Sequence, residues 1–572
     1  MKIMRINYTN VGIAVSLLVV SFIFFKLSQL KNHSRTTSIT LQTTGRAVEP
    51  LIKDKAADLF DDQLQKAQDT LESLKRELVL ARKDTVKENR MDQPHVDKKK
   101  RILRFNGQRL VHLDLKGAPT KMDYLIQVLP HFQKWGATGL LVEYEDVFPY
   151  KAKYEVLRAK NSYSEADIKR FLEAATANDL IVIPLVQTFG HLEFVLKHKE
   201  FAHLRETEHF TNSLCPNNKE SVPMVLGLID QVLALHPGVK WFHIGGDEVW
   251  NIKTCSVCQK DARNKSELFV HHMTPILTHL KNKQVTPVMW DDMMRNWPVE
   301  YLKELGPLVE PMVWAYASDL TGYYPPDMWQ RYGEAFKTIW AASAFKGATH
   351  PWSNFVPIGF HVKNNLNWLN IISKLPATLQ VNGIALTGWS RYDHYATLCE
   401  LLPAALPSVA YCLQTLTQGN MDEELIKSTA KELGLPEEFR INQGRFNDLY
   451  HPPNGTFPGH EIFTLVGHLE KAVYDTRGVA NLQQGWMLDR EVESKFLSYF
   501  QVESAYNKTV HGLKILTALQ SEAERVLGPV YDDSVIKEWV KDKLDGGVKH
   551  FNSLKPQLEE LRKVAAGEEG KQ

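Results

Sequence analysis

Two adjacent acids, Asp247 and Glu248, follow a hydrophobic run and a pair of glycines in the stretch WFHIGGDEVW, residues 241–250. Three chemistries place paired carboxylates where a buried strand meets solvent. An ATPase uses them to hold magnesium and activate water, but it needs a G-x4-G-K-[ST] loop to cradle phosphate, and the chain has none. A divalent-metal site would recruit histidines such as His191 and His243, yet no H-x-x-x-H or D-x-D cluster supports one, so no metal and no cofactor is expected. Glycoside hydrolysis uses carboxylates as proton donor and charge stabiliser. It fits best, because tryptophans recur at other strand ends and sugar rings have apolar faces that stack on them. An ordinary solvated acidic turn is the bland alternative. Against it stand the strand-end position and the Gly-Gly, which lets a ligand or a neighbouring backbone come close.

The elements that must position these acids are legible as a repeat. Short apolar runs alternate with amphipathic stretches such as KMDYLIQVLPHFQKW and EADIKRFLEAATAND from about residue 105 to 400. The runs are LVHLDL (110–115), GLLVEY (139–144), LIVIPLV (180–186), KWFHIG (240–245), TPVMW (286–290), EPMVWAY (310–316), KTIWAA (337–342) and GIALTGW (383–389). Strands alternating with helices imply parallel pairing. Eight of them suit a (β/α)8 TIM barrel over residues 101–405. A doubly wound sheet would want a G-x-G-x-x-G turn, which is absent. Barrel active sites lie at strand C-termini. There the sequence gathers Asp114 and Lys116, Glu143 and Glu145, Gln187 and His191, Asp247 and Glu248, Trp290 and Asp291, Trp314 and Tyr316, and finally Trp389, Arg391, Tyr392 and Asp393.

Composition excludes some partners. The 572 residues carry 68 basic and 67 acidic side chains, so a nucleic-acid surface is not expected. Of five cysteines, Cys255 and Cys258 form a lone C-x-x-C with no second pair, which reads as a small disulfide loop or two free thiols rather than zinc. Residues 6–25 are free of charge, about the span of a bilayer, and predict a short cytoplasmic tail and signal anchor over residues 1–30. Sequons at Asn32, Asn264, Asn454 and Asn507 then predict a glycosylated, single-pass type II protein with a lumenal (Golgi or secretory) or extracellular body. Residues 31–100 read as a stem. Within it, Phe60, Leu64, Ala67, Leu71, Leu74, Leu78 and Ala81 make a heptad seam in segment 57–90, a candidate coiled coil for homodimerisation. Residues 406–572 read as helical, with no motif that carries chemistry.

The stretch His243-Ile-Gly-Gly-Asp247-Glu248 resembles the H-x-G-G-D-E signature of glycoside hydrolase family 20, the β-N-acetylhexosaminidases. The likeness runs through IPLVQTFGHLEFVL, TPVMWDDM, WAASAFKGAT, LTGWSRYDHY and LCELLPA, over about residues 105–450. It implies that the substrate's own 2-acetamido carbonyl attacks the anomeric carbon. Glu248 is then the general acid and base, its pKa raised by its charged neighbour and by partial burial. Asp247 accepts the acetamido N–H and stabilises the oxazolinium. Trp290, Trp314 and Trp389 match the pocket walls, and His191 matches the histidine of a D-x-P-G-H motif. The chain departs from the pattern in four places: Gln187 replaces that motif's acid, Lys116 an arginine, Arg391 the glutamate of W-x-E, and Ala344-Phe345 stand where a tyrosine is usual. Tyr316 or Tyr392 is the candidate replacement for the tyrosine, and Arg391 and Asp393 for the hydroxyl contacts.

The expected activity is therefore removal of terminal non-reducing N-acetylglucosamine or N-acetylgalactosamine from glycoconjugates, with retention. Its rivals are a silent sugar-binding barrel on the same fold and a stem-mediated interaction protein.

Overall fold

The computed structural model describes residues 103–436, 439, 441 and 454–567. Eight strands form a closed barrel: β1 (Gln108–Asp114), β2 (Gly139–Glu143), β3 (Ile181–Leu185), β4 (Trp241–His243), β5 (Thr286–Trp290), β6 (Glu310–Trp314), β7 (Thr338–Lys346) and β8 (Gln380–Gly388). Each pairs in parallel with the next, and β8 closes on β1. Every apolar run of the sequence became a barrel strand. β2 is buried at all its positions, because one face meets the lumen and the other the surrounding helices.

Side chains alternate across a strand, so every second residue shares the lumen. Leu110, Leu141, Ile183, Val288, Met312 and Ala385 fill its middle. The lumen floor is tied by Glu310, whose Oε2 accepts from the indoles of Trp241 (3.1 Å) and Trp340 (2.7 Å) and from Asn382 (2.8 Å). The same period, continued to the opposite end, brings Asp114, Glu143, Trp290, Trp314 and Trp389 to the mouth. The alternation that builds the core therefore also aims the site.

The helix Leu402–Gln418 is buried almost throughout. Beyond it, His460–Trp486, Tyr499–Leu527 and Gly546–Ala566 pack in sequence on one another. The short helix Asp533–Val540 reaches the mouth, where Glu538 meets Arg391. The C-terminal region thus buttresses the rim.

The membrane-anchored, lumenal placement is corrected. Among the described residues no helix is long and apolar enough to cross a membrane. The longest, His460–Trp486 and Tyr499–Leu527, carry charges along their length and bury one face against each other. The predicted anchor (1–30), the stem (31–100) with its coiled-coil segment, and the sequon at Asn32 lie outside the described residues. At Asn264 the amide that a glycan would occupy is already engaged. Its Oδ1 caps the helix Lys265–Asn282 by accepting from Glu267 N (2.9 Å), and its Nδ2 donates to Tyr301 Oη (3.1 Å).

Candidate active site

β4 stops at His243 because the next turn needs a backbone few residues adopt. Gly245 and Gly246 have φ of +62° and +87°. A Cβ on Gly245 would lie 1.8 Å from Gln187 Oε1, so any side chain here would have to displace the Gln187 amide. The turn delivers Asp247 inward and Glu248 outward. Glu248 itself sits at φ +49°, and its N–H donates to Asp292 Oδ2 at 2.9 Å. From the end of β3, His191, also left-handed at φ +51°, reaches both acids. Its Nε2 lies 3.5 Å from Asp247 Oδ2 and 3.3 Å from Glu248 Oε2.

The two carboxyls occupy different environments. Asp247 is 7% exposed, and its Oδ1 is buried with no hydrogen-bond partner. The Glu248 side chain is 40% exposed. Burial pushes the Asp247 carboxyl up to about 7, against the pull of His191 and with help from Asp292 and Glu143. Glu248 moves the other way, because its contact with His191 outweighs its partial burial. Burial would lower His191, but Asp247 and Glu248 outweigh it and raise the imidazole to about 10. The expected rise at Glu248 is thus corrected: in the free protein burial raises the Asp247 carboxyl, while the contact with His191 lowers Glu248.

Aromatic walls face this turn. Trp290 is 1% exposed, with its indole N–H unpartnered. It lies 4.4 Å from His243 and 6.1 Å from Trp389, ring to ring. Trp314 stacks on Tyr316 at 5.2 Å, and its indole N–H donates to Asp292 Oδ1 at 3.2 Å. Behind them Arg295 grips the fully buried Asp291 through Nε (2.9 Å) and Nη2 (2.7 Å) and donates to the Trp314 carbonyl (2.7 Å). Its guanidinium also lies 4.7 Å from the Trp314 ring centroid. Arg295→Ala would strand a buried carboxylate. A loss of about 3–5 kcal/mol in urea unfolding is expected.

Similarity to known proteins agrees with this geometry. A family model described as glycosyl hydrolase family 20, catalytic domain, matches residues 122–321. Hexosaminidase D of Homo sapiens is 40% identical over 471 residues, covering 80% of this chain and 95% of that protein. Hexosaminidase D of Bos taurus is 46% identical over 336 residues, covering 57% of this chain and 97% of that protein.

The chain belongs to glycosyl hydrolase family 20. Among solved structures, Flavobacterium johnsoniae chitobiase is similar with a TM-score of 0.46 and 13% identity, over 81% of this chain and 73% of that one. The human relative is matched over so much of its length that it leaves little room for a counterpart of the predicted anchor and stem. The predicted anchor and stem therefore find no support in that relative either.

Within this family 20 site, the departures from pattern have local explanations. Gln187 lacks an acid's charge, but its Nε2 donates to Glu143 Oε1 (3.1 Å), and Glu143 is also held by His112 (3.2 Å). The neighbouring strand thus sets an acid against Gln187. Lys116 Nζ lies 2.9 Å from Asp114 Oδ2 and 3.7 Å from Glu145 Oε1, and 5.1 Å from the Trp389 ring centroid. Burial would lower Lys116, but Asp114, Glu145 and Glu143 outweigh it and keep it charged. Asp114 in turn accepts from Ser390 N at 2.7 Å.

Arg391 and Asp393, expected at the sugar, are engaged within the protein. Arg391 pairs with Glu538 and donates to the Ala396 carbonyl. Asp393 accepts from the amides of Tyr395 (2.7 Å) and Ala396 (2.9 Å), which shapes a turn. Tyr392 is 41% exposed. Sequence reasoning missed Asp292 and Arg295. The doublet Asp291-Asp292 at the end of β5 was the available signal, since only one of two adjacent acids can share the strand's inward face.

Proposed function

We propose that the chain is an exo-β-N-acetylhexosaminidase that removes terminal non-reducing N-acetylglucosamine or N-acetylgalactosamine with retention, by substrate assistance. The reading rests on one observation above all: a buried, unpartnered carboxylate oxygen, Asp247 Oδ1, directly beside a half-exposed acid. An acetamido N–H is the donor that Oδ1 lacks. Accepting it favours the Asp247 carboxylate, while the sugar covering Glu248 raises that group's pKa. One proton shared by the pair therefore passes to Glu248 as substrate binds.

Chemistry follows from that proton. The acetamido carbonyl oxygen attacks C1 as the glycosidic C–O bond breaks, and Glu248 gives its proton to the leaving oxygen. The cationic oxazolinium lies against the Asp247 carboxylate. Glu248 then takes a proton from water, which opens the ring at C1 and restores the β configuration. Trp290, Trp314 and Trp389 wall the sugar. Tyr316, whose ring stacks on Trp314 and whose phenol lies in the field of Asp247, takes the role of the absent tyrosine toward the acetamido carbonyl. Lys116 and Asp114 are the polar groups on the side of the pocket that reads hydroxyls.

The test is kcat/KM against pH on an aryl N-acetyl-β-glucosaminide and galactosaminide, with the aryl β-glucoside as comparison. Turnover should require the acetamido group. Activity should fall as pH rises through about 7, where the pair loses its last proton. His191→Asn removes the cation that favours both carboxylates, so its alkaline limb should move to higher pH. A limb that stays put, or equal cleavage of the glucoside, would overturn the reading.

A further inference from the structure

A second cluster lies a short way along the same two loops. After β3 the chain makes a hairpin of Arg205–Thr207 and Phe210–Leu214. Glu206 is on its first strand, and Cys215 follows its second. After β4, Cys255 and Cys258 open the short helix Ser256–Lys260. One ligand atom from each of Glu206, Cys215, Cys255 and Cys258 lies within 4.8 Å of all the others. The Cys215 Sγ is 3.7 Å from Cys255 Sγ and 3.5 Å from Cys258 Sγ. A tetrahedral ion with metal–sulfur bonds of about 2.3 Å separates its sulfurs by about 3.8 Å.

We propose that Glu206, Cys215, Cys255 and Cys258 form a structural zinc site that staples the β3 loop to the β4 loop. Glu206 is the independent pointer. It is 1% exposed, and its Oε1 accepts from the amides of Thr254 (2.6 Å) and Cys255 (3.0 Å), whereas its Oε2 has no partner. A carboxylate so fixed, with one oxygen buried among three thiols, lacks a cation. Thiolate-rich tetrahedral sets select zinc among common divalent ions.

Outer contacts of the kind that orient zinc ligands are also present. The Cys258 N–H points to Cys255 Sγ (3.2 Å), and Asn217 Nδ2 to Cys258 Sγ (3.4 Å). Asn217 is itself held by Arg263 (2.9 Å) and Asp261 (3.0 Å). A disulfide between any two of the cysteines would leave the third thiol and Glu206 Oε2 unpartnered in a buried place. The lone C-x-x-C concealed this site because its other two ligands lie 40 and more residues upstream.

The staple has a bearing on the acids. His191 lies on one stapled loop and Glu248 on the other. Asn251 Nδ2 donates to Asn212 Oδ1 (3.0 Å) and Thr207 meets Thr254 (2.7 Å) across the same seam.

Metal analysis of the full chain, purified under reducing conditions, should find about one zinc per chain. Cobalt exchanged into the stripped protein should give intense thiolate-to-metal charge-transfer absorption. Cys215→Ser and Cys258→Ser should lose both, while Cys412→Ser keeps both. Should the serine variants fail to fold, Asn217→Ala serves instead. It should retain the fold and bind zinc about 10–100-fold more weakly in chelator competition. Wild-type protein that holds no zinc and gives no cobalt–thiolate absorption would overturn the proposal. So would thiol counting that finds a disulfide among these cysteines under the same conditions.

Discussion

Glu248→Gln is expected to lower kcat on an N-acetyl-β-hexosaminide with a poor leaving group by about 10²–10⁴-fold. Glutamine keeps the shape of the side chain but has no proton to give. It also keeps the backbone N–H that donates to Asp292, so the turn stays in place. The side chain is 40% exposed, and His191 keeps the Asp247 carboxyl at 3.5 Å, so only a modest change in thermal unfolding is expected. The loss should shrink as the leaving group improves, because a dinitrophenolate departs with little help from an acid. That gradient separates proton donation from simple binding: a group that only bound substrate would cost the same for every aglycone. A kcat within tenfold of wild type on the poor leaving group would remove Glu248 from the role of acid.

The reading of Glu248 also marks where sequence ran out. All eight strands were visible, because a barrel strand is buried on both faces and so appears as a short apolar run between turn residues. The acids were visible because Gly245-Gly246 interrupts such a run just before them. What adjacency could not tell was which of the two is buried. That depends on the left-handed turn at Gly245, Gly246 and Glu248 and on His191 reaching across from β3. The pKa order of the pair follows from that placement alone, which is why the expectation of a raised Glu248 in the free protein was reversed. Arg391 shows a related limit. It is near a strand end in sequence, but its partner Glu538 lies 147 residues on. Contacts of that range leave no local pattern. Glu206 and Cys215 were hidden for the same reason.

Asp247→Asn carries the second large effect, and it has two sides. Asparagine can still offer an oxygen to the acetamido N–H but brings no charge to the oxazolinium. Loss of one such preorganised group is expected to lower kcat about 10²–10³-fold. The same substitution should make the fold more resistant to unfolding. Burial holds the folded Asp247 pKa above its unfolded value, so across that window the folded state binds the proton more tightly. Stability contributed by this group is therefore lost as pH rises from the ordinary carboxylate range towards about 7. Above that pH the wild type keeps a buried charge that asparagine lacks. Melting temperatures of the two proteins should differ most above pH 7 and converge as pH falls towards 4. An asparagine variant that is both less active and less stable at pH 8 would mean the carboxylate holds the loop together. A variant less active but more stable would identify Asp247 as a charge the fold tolerates because the reaction needs it there.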